Sequence, residues 1–140
     1  FQSASNPCLR DIHEYLLIFS KGDYKLPRDK KQRAEGRIDT ISRDDFIHNT
    51  KSIWSFATER ASRVNHPAPF PVELPKRCIE MYSFVGDVVL DPFNGSGSTC
   101  VAAKMTGRTY IGVDLSEEYC AIAQDRIDLT DEIKIEKIES

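Results

Sequence analysis

The spacing of apolar residues alternates between that of strands and that of helices in the second half of the chain. Short apolar runs at 87–91 and 109–113 predict two strands, and segments with helical spacing follow at about 98–106 and 116–128. Strand, helix, strand and helix in this order predict an α/β fold with a parallel sheet and a right-handed crossover. Alternation over 133–138 predicts a half-exposed edge strand at the end of the chain.

The first half of the chain has a less regular pattern, from which four further elements are predicted. The continuous apolar run at 14–20 predicts a buried strand, which a polar stretch follows. Within this stretch, Ser42 is placed to cap a short helix that ends near Asn49. A brief strand at 51–56 and a helix from 72 to about 84 complete the predicted elements.

Composition and charge indicate an ordinary soluble domain, since 40% of its 140 residues are apolar and 29% are charged. No apolar run approaches the roughly 20 residues that a membrane-spanning helix needs, so no membrane association is expected. The widely spaced cysteines favour reduced intracellular thiols, and a cytoplasmic location is therefore expected. The four cysteines are far apart, which argues against zinc binding and a disulfide framework. A basic stretch at 21–43 suits phosphate contact, although a solvated loop of mixed charge explains it equally well.

The junction between the first predicted strand and its helix carries the strongest chemical signal in the sequence. The strand ends at Asp91, and the turn that follows contains Gly95 and Gly97, where a ligand can approach the backbone because no Cβ intervenes. Ser98 and Thr99 come next and are predicted to cap the helix. A junction of this kind forms a cofactor-binding crevice at the carboxyl edge of an α/β sheet.

Two acids, Asp91 and Asp114, are predicted at the ends of neighbouring strands. An acid at the end of the second strand, here Asp114, suits the hydroxyls of a ribose. Its presence therefore favours an adenosine-bearing cofactor. The alternative is that Asp114 only caps the helix that begins near Ser116. Asp91 repels a pyrophosphate but attracts a cation, and S-adenosylmethionine (AdoMet) has an amino group and a sulfonium without any phosphate. A nicotinamide dinucleotide is disfavoured for the same reason, and because Cys100 occupies the third position of its glycine fingerprint.

Several motifs resemble those of DNA amino-methyltransferases, which methylate N6 of adenine or N4 of cytosine. Asp-Pro-Phe-Asn-Gly-Ser-Gly-Ser-Thr at 91–99 resembles their AdoMet-binding motif, with Ser98 where the family usually has Thr. His-Pro-Ala-Pro-Phe-Pro-Val-Glu-Leu at 66–74 resembles the segment that precedes this motif in the permuted, β-group members. Residues 111–114 resemble the acidic-strand motif, and residues 6–21 resemble a late sheet strand of the same enzymes.

The resemblance implies a Rossmann-like, AdoMet-dependent methyltransferase fold with a mainly parallel sheet, which this chain contains only in part. Residues 1–21 are then expected to supply a late strand of the core. The insertion at 22–52 takes the place of the target-recognition region, and residues 53–140 form the AdoMet-binding part of the core.

The chemistry of the turn and the resemblance together define a predicted cofactor site. Its members are His66, Pro67, Phe70, Pro71, Asp91, Phe93, Gly95, Ser96, Gly97, Ser98, Thr99, Asp114 and Leu115. Phe70 and Pro71 are expected to wall the methionine end of the cofactor, whereas Phe93 suits cofactor contact and core packing equally. His66 is expected to have a structural or cofactor-lining role rather than to transfer a proton. No metal site is predicted.

No catalytic residue is assigned, because the 140 residues lack the family's catalytic tetrapeptide, Asp/Asn/Ser-Pro-Pro-aromatic. In those enzymes the tetrapeptide accepts hydrogen bonds from the target amine and stacks on the flipped base. In the permuted order it is expected upstream of Phe1.

The resemblance therefore implies methyl transfer from AdoMet to adenine N6 or cytosine N4 in double-stranded DNA, with this chain as the cofactor-binding half. A cognate restriction endonuclease is a further expected partner. A non-catalytic AdoMet- or DNA-binding fragment and a nicotinamide-dependent oxidoreductase are the alternatives. The target base, the recognition sequence and the oligomeric state stay open.

Overall fold

The computed structural model describes residues 13–22, 37–56 and 70–136, the last of these with side chains to residue 130. Two strands and four helices lie in this part of the chain. In chain order they are α1 (Arg43–Asn49), α2 (Glu73–Tyr82), β1 (Val88–Asp91), α3 (Ser98–Met105), β2 (Thr109–Gly112) and α4 (Glu117–Glu136).

The two strands pair in parallel, which confirms the arrangement of β1, α3, β2 and α4 predicted from the spacing of apolar residues. The register places Val88 beside Thr109 and Asp91 beside Gly112. Backbone hydrogen bonding continues past the strands, because the Val113 N–H donates to the Asp91 carbonyl at 2.9 Å. Parallel strands end at the same edge of a sheet, so the residues that follow β1 and β2 are neighbours.

Helix α3 is the centre of the core. Its residues 100–103 are all buried, and their small side chains let the surrounding elements approach closely. One apolar cluster joins α3 to Ile79 of α2 and to Val89 and Tyr110 of the sheet. A second cluster joins it to Ile127 of α4. The sheet and both longer helices are therefore positioned around α3.

The opposite face of the sheet is uncovered within the described ranges. Val88 and Leu90 alternate with the packed residue Val89, and they are 64% and 61% exposed. Ile111 and Val113 are half exposed at the end of the neighbouring strand. Parallel sheets ordinarily have both faces covered. The uncovered apolar face of the described sheet therefore agrees with the expectation that this chain contains only part of a Rossmann-like fold.

A buried arginine joins the predicted insertion to the core. The Arg108 side chain is 4% exposed, and its guanidinium donates to the Thr40 hydroxyl and to the Ser83 carbonyl, both at 2.7 Å. The Val85 N–H donates to the Ile38 carbonyl at 2.9 Å beside it. Residues 37–40 are thereby held against the end of α2 and the start of β2.

The predicted helix near Ser42 is confirmed as α1, and its cap is confirmed too. The Asp45 N–H donates to the Ser42 hydroxyl at 3.0 Å, which satisfies one of the open donors in the first turn of the helix.

The buried strand predicted at 14–20 is wrong for this structure. Residues 13–22 form neither helix nor strand, and Tyr15, Leu17 and Phe19 are more than two-thirds exposed. An apolar run becomes a buried strand only when neighbouring strands and a covering layer are present. In the described part of the chain, neither forms beside this segment.

Two further predicted strands are also wrong. Residues 51–56 form no strand, and Trp54 instead donates its indole N–H to the Asn49 carbonyl at 2.9 Å. Within 133–138, residues 133–136 belong to α4, and the rest lies outside the described residues. Lys and Glu between the isoleucines have good helix propensity, so α4 continues through them.

Glycine-to-alanine substitutions at three positions separate backbone strain from steric overlap. A Cβ on Gly97 would lie 2.7 Å from the Ala123 Cβ, and φ is +82° there. At Gly86 φ is +84°, and an added Cβ would meet no atom within 4 Å. At Gly22 an added Cβ would also meet no atom within 4 Å, and φ lies outside the left-handed region. We expect the free energy of unfolding to stay nearly unchanged in Gly22→Ala, to fall by about 1 kcal/mol in Gly86→Ala, and to fall by about 2–4 kcal/mol in Gly97→Ala.

Urea unfolding followed by circular dichroism measures all three variants. Equal losses at Gly86 and Gly97 would contradict a close contact between Gly97 and α4.

Candidate cofactor-binding site

The turn between β1 and α3 is fixed by backbone hydrogen bonds. The Asn94 N–H donates to the Val113 carbonyl, and the Gly97 N–H donates to the Asn94 carbonyl, each at 2.9 Å. Gly95 and Gly97 have φ angles of 49° and 82°. Residues with a Cβ rarely adopt this left-handed region, which explains the glycines at these two positions. The hydrogen bond from Asn94 to Val113 also holds the turn against the end of β2.

The start of α3 differs from the sequence-based prediction. Gly97 is the N-cap, no side chain caps the helix, and Ser98 is already its first residue. The predicted capping role of Ser98 and Thr99 is therefore wrong. The Ser98 hydroxyl instead donates to the Phe70 carbonyl at 3.1 Å, which ties the turn to the segment before α2.

Asp114 joins the end of β2 to the glycine turn. Its Oδ2 accepts the Gly95 N–H at 2.8 Å, and its Oδ1 accepts the Ser116 N–H at 2.9 Å. The capping contact at the start of α4 belongs to Ser116, whose hydroxyl accepts the Tyr119 N–H at 3.3 Å. Asp114 therefore bridges two loops at the edge of the sheet and is more than the cap of a helix.

Asp91 lies at the end of β1, and its negative charge acts on the glycine turn. Its Oδ1 accepts the Phe93 N–H at 3.0 Å. The buried thiol of Cys100 donates to the Asn94 side-chain oxygen at 3.1 Å. Burial first, and the negative charge of Asp91 second, raise the pKa of Cys100 to about 11. The negative charge of Asp91 therefore affects Cys100, a buried group that is hydrogen-bonded to the turn.

Large apolar side chains next to both acids are exposed. Phe93 is 86% exposed, and Leu115 is fully exposed. Phe93 is therefore not packed in the core of the described residues, and its contact with the cofactor stays a prediction. Exposed apolar side chains beside converging polar groups are typical of a site that a ligand covers.

The structure brings most of the predicted site residues together at this edge, with differences in role. Ser96 is buried, and its hydroxyl is bonded within the protein, as is that of Ser98. Thr99 is half-buried in the first turn of α3, and Phe70 and Pro71 begin the described segment before α2. His66 and Pro67 lie outside the described residues.

Sequence reasoning missed Arg126, which reaches the turn from α4. Its Nη1 donates to the Ser96 carbonyl and hydroxyl and lies 3.4 Å from the Ser98 hydroxyl. A signal was present in the sequence, because Arg126 lies three residues after Ala123 and just before Ile127, both buried. A charged residue on the buried face of a helix is expected to have a specific partner.

Sequence reasoning also missed the contact that requires glycine at position 112. A Cβ there would lie 2.6 Å from the side-chain Cγ of Asn94, which is itself buried. The close approach of Asn94 to β2 therefore depends on Gly112.

Neither a metal centre nor a membrane span is found in the parts of the chain that the structure describes. Among those residues, no three His, Cys, Asp or Glu side chains gather as metal ligands. None of the helices there is long and apolar enough to cross a membrane.

A parallel β–α–β–α unit with two acids and a glycine turn at its carboxyl edge is the arrangement of a Rossmann-like fold that binds a nucleoside-bearing ligand. The model of the N6/N4 DNA methylase family matches residues 2–125. The chain belongs to this family, as its motifs predicted.

Individual relatives agree with this assignment. The type II methyltransferase M.MthZI of Methanothermobacter thermautotrophicus is 36% identical over 127 residues, which cover 84% of this chain and 35% of the relative. The putative methylase YubD of Escherichia coli K12 is 43% identical over 115 residues, with coverages of 82% and 41%.

The fold agrees with that of a solved relative. The putative DNA modification methylase TTHA0409 of Thermus thermophilus, crystallised with AdoMet, superposes with a TM-score of 0.59 at 33% identity. The alignment covers 85% of this chain and 49% of that protein. The predicted fold class is therefore confirmed. The chain spans between about a third and a half of the length of these relatives.

Thiol labelling tests the electrostatic arrangement of the turn. At pH 8 we expect iodoacetamide to label the exposed Cys120 quickly and Cys100 far more slowly, because Cys100 is buried and its raised pKa keeps the thiol protonated. Since Asp91 raises the pKa of Cys100, Asp91→Asn should shift the pH profile of Cys100 labelling to lower pH. Peptide mapping by mass spectrometry between pH 7 and 10 measures both rates.

Asp125→Asn, an exposed change on α4, is the matched control for that shift. An identical Cys100 profile in the two variants would contradict the placement of Asp91 beside the turn.

Proposed function

We propose that this chain is the methyl-donor half of an AdoMet-dependent N6/N4 DNA methyltransferase. It binds AdoMet at the carboxyl edge of β1 and β2 and presents the methyl group to a base amine that other residues hold. The observation that carries the proposal is the pair of acids, Asp91 and Asp114, on either side of the glycine turn, with Asp114 bonded to Gly95 at 2.8 Å. The AdoMet complex of the T. thermophilus relative supports the choice of cofactor.

The adenosine part of the ligand is bound at the end of β2. Asp114 accepts hydrogen bonds from the ribose hydroxyls, for which a carboxylate with two acceptor oxygens is well suited. Leu115, fully exposed beside it, offers apolar surface to the adenine ring. Burial of this side chain under the ring releases water and contributes to affinity.

The methionine part is bound at the end of β1. Asp91 attracts the amino group and the sulfonium, which are both cationic, and would repel the pyrophosphate of a dinucleotide. The start of α3 has no side-chain cap, so its N–H groups and the positive end of its dipole suit the ligand's carboxylate. Phe70 and Pro71 wall this end of the ligand, and Phe93 covers it.

Methyl transfer depends on orientation more than on proton removal. When bound, AdoMet would supply an electrophilic methyl group on its sulfonium. The nitrogen of the base amine would form the new bond to the methyl carbon in line, as the bond from that carbon to sulfur breaks and a neutral thioether leaves. The residues of the turn and the two acids hold the donor in one position, which contributes through proximity and electrostatic stabilisation. The proton of the amine can leave after the transfer, so no strong base is required and His66 is assigned a structural or lining role.

The acceptor side belongs to residues outside this chain. The 140 residues lack the catalytic tetrapeptide, and the apolar sheet face of Val88, Leu90 and Ile111 is exposed, as expected where further layers of the fold pack. Double-stranded DNA is the proposed substrate, and residues 22–52 occupy the place of the target-recognition region. A cognate restriction endonuclease is part of the same proposal, which the type II names of several relatives support. A cytoplasmic location is proposed as well.

Substitution of the two acids tests the proposal by calorimetry. Asp114→Asn should weaken AdoMet and S-adenosylhomocysteine (AdoHcy) equally, by about 1–3 kcal/mol, because both ligands contain the ribose. Asp91→Asn should weaken AdoMet more than AdoHcy, because only AdoMet carries the sulfonium charge. Asp125→Asn on the exposed side of α4 serves as the control, and circular dichroism checks folding of each variant.

NAD should not bind to the unsubstituted chain. Binding of NAD in preference to AdoMet would overturn the proposal, as would an unchanged AdoMet affinity in Asp114→Asn.

The exposed leucine provides a test that leaves the protein core intact. Leu115→Ala should change the free energy of unfolding of the ligand-free protein by no more than about 0.5 kcal/mol, because the side chain is fully exposed. AdoMet affinity should nevertheless fall by about five- to tenfold, since the apolar contact with adenine is lost.

Leu129→Ala is the matched control, since Leu129 is 54% exposed on α4. Its AdoMet affinity should equal that of the unsubstituted chain. A Leu115 variant that binds AdoMet as tightly as this control would exclude Leu115 from the site.

A further inference from the structure

The Arg126 guanidinium connects α4 to the glycine turn across thirty residues of sequence. Its Nη1 donates to the Ser96 carbonyl and, at 2.9 Å, to the Ser96 hydroxyl, and it lies 3.4 Å from the Ser98 hydroxyl. Ser96 and Ser98 are 4% and 3% exposed, so these acceptors are largely shielded from water. Hydrogen bonds from a charged donor to shielded acceptors are stronger than neutral ones. The contact is therefore expected to restrain the turn strongly.

Helix α4 also touches the turn directly. A Cβ on Gly97 would lie 2.7 Å from the Ala123 Cβ, so the helix and the turn are already in close contact there. Ala123 and Arg126 are three residues apart and share one face of α4. The backbone of the turn is thus packed against α4 at Gly97 and hydrogen-bonded to it at Ser96.

Three separate parts of the chain hold the turn. Asp114 after β2 accepts the Gly95 N–H, and the Phe70 carbonyl before α2 accepts the Ser98 hydroxyl. Arg126 supplies the third restraint and holds the carbonyl of Ser96, midway between the two glycines. Glycines have the widest choice of backbone conformations, so a turn with two of them needs such restraints to keep one conformation.

We propose that Arg126 is a positioning residue for the AdoMet site, which acts through the turn and does not touch the ligand. It fixes the peptide of Ser96, and thereby the N–H groups of the turn, before the ligand arrives. Binding then requires less ordering, and this pre-organisation increases affinity. The inference rests on the proposed function, since it assigns a ligand to the turn.

A role in ligand positioning and a purely structural role predict different measurements. If Arg126 only attached α4 to α3, its loss would lower the melting temperature and the folded fraction. The folded molecules would still bind AdoMet with unchanged affinity. If Arg126 positions the turn, the affinity of the folded molecules falls, and it falls by the same factor for AdoMet and AdoHcy.

The test compares Arg126→Met, Arg126→Lys and a matched control, Gln124→Ala. Gln124 is exposed on the same helix and its amide donates to Asp128. Amide hydrogen exchange of residues 94–98 is measured without ligand, and calorimetry gives the Kd and the binding stoichiometry for AdoMet and AdoHcy. Met keeps the length of the side chain without its donors, and Lys keeps the charge without the planar fork.

In Arg126→Met we expect exchange in the turn to accelerate about tenfold, while exchange in β1 stays unchanged. Both Kd values should rise about tenfold at a stoichiometry near one, with Arg126→Lys intermediate and Gln124→Ala unchanged. Unchanged exchange in the turn, or an unchanged Kd at full stoichiometry, would overturn the proposal.

Two provisions keep the test decisive. If Arg126→Met does not fold, Arg126→Lys and Ser96→Ala take its place, and turn exchange equal to that of Gln124→Ala in both would overturn the proposal. If the unsubstituted chain does not bind AdoMet, the proposed function fails. The exchange measurement would still decide whether Arg126 orders the turn.

Discussion

The parallel pairing of β1 with β2 is the constraint on which the rest of this site depends. The register that sets Asp91 beside Gly112 brings the two strand ends to one edge, so that Asp114 can reach back to the Gly95 N–H. An antiparallel pair would separate these residues by the length of a strand. Helix α3 makes the parallel pairing feasible, because its small buried residues let the crossover pack closely on one face of the sheet.

Contacts within the protein hold the glycine turn in place, and the surface beside the turn is open to solvent. Backbone hydrogen bonds, Asp114 and Arg126 restrain the turn, whereas Phe93 and Leu115 are exposed beside it. This combination suits a ligand with a charged amino-acid end, sugar hydroxyls and a flat aromatic ring, as AdoMet has. The opposite sheet face is apolar and exposed, which agrees with a chain that spans between about a third and a half of the length of its relatives. Under the proposed function, this chain binds the methyl donor and other residues of the same fold bind the methyl acceptor.

Local patterns predicted those parts of the fold that local interactions determine. The β–α–β–α order, helix α1 with its Ser42 cap and the two acids at one edge all followed from spacing and residue chemistry. The strand at 14–20 could not be decided in this way, because an apolar run shows what a segment can bury and not whether neighbours are present. The N-cap of α3 was predicted at Ser98 and Thr99 but is Gly97, which adopts a left-handed conformation so that the helix already begins at Ser98. Arg126 was missed because its contact spans thirty residues.

The central claim is that AdoMet binds at the carboxyl edge of β1 and β2, around the glycine turn. A titration of the ¹⁵N-labelled chain with AdoMet, followed by two-dimensional NMR, tests this claim most directly. The account predicts that the amide signals of Gly95, Gly97 and Leu115 shift in a saturable manner while those of Gly22 and Gly86 stay in place. Saturable shifts confined to residues away from this edge, or no shifts at millimolar AdoMet, would contradict it.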